Sequence, residues 1–111
     1  MFTSLMDILK DHGQSILAYR KCSEAAFRLA VQDPKHAAAC LVLGTAAQDF
    51  VDTFERMPLS QAIVREEFLR FGQYLTTLQA AHASGILQDE ITALNDVATA
   101  IIQHRSRAHD A

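Results

Sequence analysis

What most constrains this chain is its punctuation. Asp33-Pro34, Met57-Pro58 and Ser84-Gly85 cut the sequence into four stretches of similar length. Proline lacks a backbone N–H and its ring clashes with the preceding turn, so it interrupts a helix but readily opens one. Asp33 is a good N-cap for a helix opened by Pro34, and Gly85 suits the left-handed residue that closes a helix. Thr3 or Ser4 can cap the first stretch. These signals predict helices over roughly 4–31, 34–57, 59–83 and 87–107.

Each stretch carries apolar residues three and four apart, the spacing of one helix face. The first seam runs Phe2, Leu5, Leu9, His12, Ile16, Tyr19, Ser23, Ala26, Ala30. The second is His36, Cys40, Leu43, Ala47, Phe50, Phe54, Met57, and the third Val64, Phe68, Phe71, Leu75, Leu78, His82. The fourth is Leu87, Ile91, Leu94, Ala98, Ile101, Arg105. Four long helices joined by short connections pack as antiparallel neighbours. The expectation is therefore an all-α protein: one domain, 1–111, folded as an up-down-up-down four-helix bundle. Half of the residues are hydrophobic, enough for a shared core without metal or disulfide staples.

Composition excludes several classes of function. The net charge is -3 with acids and bases interspersed, and Arg105 and Arg107 are the nearest approach to a basic cluster. A nucleic-acid-binding surface needs a basic stripe, so none is expected. No apolar run reaches the length of a membrane span, and Met1–Lys10, which contains Asp7, lacks the pattern of a signal peptide. Cys22 and Cys40 read as reduced, buried thiols, which points to a cytoplasmic protein. No Gly-x-Ser-x-Gly elbow, glycine-rich phosphate loop, haem-attachment motif or di-iron Glu-x-x-His pair is present. Nothing supplies a base or nucleophile for an enzyme, and no cofactor is expected.

Three histidines interrupt the seams: His12, His36 and His82. In an antiparallel bundle His36 and His82 fall at the same end on neighbouring helices. Cys40 lies one turn from His36 on the same face, and Asp89 opens the last helix near that level. His36, Cys40, His82 and Asp89 thus form a candidate set of nitrogen, sulfur and oxygen metal ligands. His12 and His104 define a second level, with no carboxylate seam to accompany them.

A separate signal is the run Ala37–Leu43, AAACLVL. A helix apolar on every side wants cover on more than one side. Leu41 falls in line with Thr45, Gln48 and Asp52 on the polar side, and Leu17 among Lys10, Gln14 and Lys21 on the first helix. These two leucines predict an interface, and a two-fold homodimer or a protein partner to fill it. The leading expectation is a non-enzymatic helical interaction module, an adaptor, chaperone-like or regulatory subunit. The alternative is a bundle that binds a metal or small ligand at the His36/Cys40/His82 end.

Overall fold

The prolines and glycines act where expected, and a fourth break joins them. The computed structural model describes residues 2–110 and contains five α-helices. These are α1 (Thr3–Asp11), α2 (Ile16–Gln32), α3 (Ala37–Phe54), α4 (Gln61–Ser84) and α5 (Leu87–Asp110), with a short 3-10 turn, Pro34–His36, leading into α3. No strand occurs among the described residues, and none of their helices is long and apolar enough to cross a membrane.

The helix expected over 4–31 is two helices. Gly13 (φ 70°) and Gln14 (φ 57°) both take left-handed backbone. The Gln14 N–H donates to Leu9 O at 2.8 Å and the Gly13 N–H to Lys10 O at 3.2 Å. That pair of bonds is the Schellman closure, which satisfies carbonyls left over at a helix end. Ser15 then caps α2, its Oγ accepting from the Ala18 N–H at 3.2 Å. The apolar seam continues in register across the break, and so it hides the break from a periodicity argument.

The other boundaries move less. Pro58 does end the second stretch, but Ser60 rather than the proline opens α4, its Oγ accepting from the Ile63 N–H at 3.1 Å. Gly85 closes α4 in the left-handed region at φ 70°. Its α-carbon faces open space, so backbone conformation and not packing explains the glycine.

Adjacent helices run antiparallel where their contacts can be paired. Along α2 and α3, Arg20 meets Glu55 and Ser23 meets Gln48. Phe27 meets Gly44, where an added β-carbon would overlap the phenyl ring. Along α4 and α5, Glu67 meets His104 and His82 meets Glu90. Asp49 of α3 accepts two bonds from Arg105 of α5, at 2.9 and 3.1 Å. α1 turns back onto α2, with the Cys22 thiol donating to Leu5 O at 3.8 Å.

The core gathers Phe2, which precedes α1, with Leu5 and Leu9 of α1; Ala18, Tyr19, Cys22 and Ala26 of α2; and Ala39, Cys40, Leu43, Ala47, Phe50 and Val51 of α3. α4 adds Phe71, Tyr74, Leu75, Leu78 and Ala81, and α5 adds Ala93, Val97 and Ile101. The first three seams are therefore close to the buried stripes. The fourth is misphased. Leu87 and Ile91 are exposed, and Ala93 and Val97 face inward in their place. His12 also leaves its seam, exposed at the end of α1.

α3 touches α2, α4 and α5. This accounts for the AAACLVL run: Ala39, Cys40 and Leu43 are buried and Val42 is half-buried, all within the chain. Leu41 remains outside at 56% exposure.

Candidate metal centre

Two breaks in the chain build one end of the molecule. The 3-10 turn delivers His36 just before α3, the last turn of α4 delivers His82, and the first turn of α5 delivers Glu90. The two imidazole rings meet edge to face, with centroids 4.4 Å apart and planes at 83°. One potential ligand atom from each of His36, His82 and Glu90 lies within 4.8 Å of the other two. All three residues are half-buried.

His36 is braced from behind. Its Nδ1 lies 2.9 Å from Asp33 Oδ2. An ionised carboxylate only accepts, so Nδ1 carries the hydrogen and the neutral ring keeps its lone pair on Nε2. Asp33 was expected to cap the following helix, but its side chain caps no backbone N–H and is spent on the ring. A carboxylate behind a histidine fixes the tautomer and strengthens the ring as a ligand, the usual outer support of a metal-bound imidazole.

His82 is less satisfied. Its Nδ1 is closed to solvent and has no hydrogen-bond partner. Glu90 Oε1 stands 3.5 Å away, within ion-pair range but without the alignment of a hydrogen bond. Helix dipoles account for a histidine at the end of α4 and an acidic residue at the start of α5. They do not account for a buried ring nitrogen left without a partner, an arrangement that carries a free-energy cost.

Two of the four residues picked out from sequence, His36 and His82, are thus brought together. Cys40 is fully buried in the core and is not one of the converging groups. Burial, and secondarily the charge of Asp33, raises its thiol pKa and keeps it protonated. Asp89 points to solvent, and its neighbour Glu90 takes the place expected for it. The signal for Glu90 was available: it stands three residues before Ala93 and seven before Val97, on the inward stripe that the misphased seam displaced. The second histidine level does not form as expected. His12 is exposed, and His104 Nε2 lies 3.1 Å from Glu67 Oε1 and 3.2 Å from Arg70 Nη1.

No protein-family model, curated protein or solved structure matches this chain.

Proposed function

We propose that the protein binds a divalent metal ion of the zinc class through His36, His82 and Glu90. The ion would sit at one end of an up-down-up-down unit of α2–α5, with α1 folded onto it. The observation that carries this reading is the convergence of two imidazoles and a carboxylate from three separate elements, with Asp33 braced behind one of them. Zinc takes nitrogen and oxygen ligands at about 2.0–2.2 Å, and tetrahedral ligands then stand about 3.4 Å apart. Side-chain rotations of the order of an ångström would draw the three donors to that spacing. Three protein ligands leave a fourth position for water or a small ligand, the pattern of an open rather than a purely structural site.

Zinc titrated into metal-free protein against a chromophoric chelator is the test. One equivalent should bind, and His82→Ala or Glu90→Gln should weaken binding by about 100-fold or more. Asp33→Asn should cost roughly 10- to 100-fold, as expected of a group that orients a ligand. The helical circular dichroism should be unchanged, because all these side chains are partly exposed. Absence of a stoichiometric site, or equal affinity in His82→Ala, would overturn the reading.

A second reading, a helical interaction module that self-associates, is favoured by the outer face of the α2–α3 pair. Val31 is 81% exposed and Leu41 56%. Val31 lies one turn from Phe27, and Leu41 one turn from the Gly44 on which Phe27 rests, so the three share one side. Leu17 does not belong to this patch. It is exposed near the start of α2, about 20 Å from Leu41 along the antiparallel pair. Light scattering at tens of micromolar should report a dimer for the wild type and a monomer for Leu41→Glu. A monomeric wild type removes the self-association reading and leaves the metal reading untouched.

A further inference from the structure

Away from the histidine pair, a cleft of ≈ 1080 Å³ opens among the C-terminal half of α3, the first half of α4 and the last turns of α5. That is the size of a small-molecule site rather than of a packing defect. Its walls are aromatic. Tyr19 stacks on Phe50 at a centroid distance of 3.8 Å and an interplanar angle of 16°, and its ring meets Phe71 edge-on at 6.1 Å. Phe54 leans on Phe50 at 5.0 Å, and all four rings line the cleft.

The half-buried polar groups lining the cleft largely neutralise one another. Arg105 donates twice to Asp49, and the Glu67 carboxylate accepts from Arg70 Nη1 at 2.8 Å. Two half-buried acids therefore face two half-buried arginines, and His104 Nε2 can serve either as a donor to Glu67 or as an acceptor from Arg70. A site so balanced does not select a highly charged ligand.

One group remains unsatisfied. Tyr19 is 2% exposed, and its Oη is buried with no hydrogen-bond partner. Burial and the nearby charge of Glu67 both push the phenol pKa up, so it stays a neutral donor at any working pH. A buried hydroxyl without a partner is costly and calls for an explanation, and an acceptor on a bound ligand would supply the missing bond.

We propose that this cleft binds a planar, largely apolar aromatic molecule carrying one carbonyl-type acceptor, its rings against Phe50, Phe54 and Phe71 and its acceptor bonded to the Tyr19 hydroxyl. This inference does not rest on the metal reading, and its test contains no metal.

The probe is 6-propionyl-2-dimethylaminonaphthalene, a naphthyl ketone whose emission shifts to the blue in apolar surroundings. Wild-type protein should bind it saturably, one to one. Tyr19→Phe keeps the ring stack and loses only the donor, so affinity should fall roughly 3- to 10-fold, the net contribution of one neutral hydrogen bond. The 6-propyl analogue, which lacks the carbonyl, should bind wild type and Tyr19→Phe alike. Phe54→Glu, placing a charge on the half-buried wall, should abolish binding of both compounds. The inference is overturned if folded wild type shows no saturable binding, if Tyr19→Phe binds the ketone as tightly as wild type, or if Phe54→Glu leaves binding intact.

Discussion

Tyr19→Ala should lower the unfolding free energy by about 3–5 kcal/mol, the largest loss expected from any single side chain here. Tyr19 is among the most buried large residues, and its ring joins three helices: it belongs to α2, stacks on Phe50 of α3 and meets Phe71 of α4. Truncation removes the transfer energy of a large ring and opens a cavity between helices that cannot collapse independently. It also breaks two aromatic pairs, each contributing about 0.5–1.5 kcal/mol beyond the area it buries. Domains of this size have about 5–15 kcal/mol to lose, so urea unfolding of Tyr19→Ala should begin at low denaturant. Tyr19→Phe supplies the contrast. It keeps every ring contact and deletes an unpartnered hydroxyl, so its midpoint should equal or exceed that of wild type. A midpoint well below wild type for the phenylalanine variant would mean that the hydroxyl is bonded in solution.

Leu9→Ala should cost about 2–5 kcal/mol, the usual range for a fully buried leucine. The reasoning differs from that for Tyr19, because α1 is separated from α2 by a left-handed turn and gains nothing from helical continuity. A nine-residue helix is too short to persist in water by itself, so its order comes from docking. Phe2, Leu5 and Leu9 are the buried anchors of that docking, and the Phe2 N–H adds a bond to Gln79 Oε1 at 3.1 Å. Removing one anchor should release α1 ahead of the rest. Hydrogen exchange followed by mass spectrometry should show amides of Thr3–Asp11 in Leu9→Ala exchanging well before those of α3. A loss under about 1 kcal/mol would place α1 outside the cooperative core.

The sequence made the helical class, the three main breaks and most buried positions legible for definite reasons. Proline and glycine act locally, and Phe2, Leu5, Leu43, Phe50, Phe71 and Leu78 are large apolar residues at helical spacing. The break at Gly13 is masked because the seam continues through His12 and Ile16, although Gly13 followed by Ser15 is itself a stop and a cap two residues apart. The inward phase of the fourth helix is hidden because, over its first half, small residues face the core and large ones face out. Leu87 and Ile91 outbid Ala93 and Val97, while close contact with neighbouring helices favours the smaller pair. Misphasing cost the site a ligand, since Glu90 lies on the true inward stripe. The meeting of His36 and His82 followed from antiparallel order alone. The diversion of Asp33 from capping to bracing His36 did not, because one carboxylate can serve either purpose and only tertiary placement decides.

The overlap between Phe27 and any β-carbon at position 44 sets where a change there would be felt. The ring is 38% exposed and free to swing outward. Gly44→Ala therefore gains helix propensity of about 1 kcal/mol while giving up part of that contact. The stability ledger moves little, but the displaced ring joins Val31 and Leu41 on the outside of the molecule. At this position a substitution is paid for in solubility, with the interior almost unchanged.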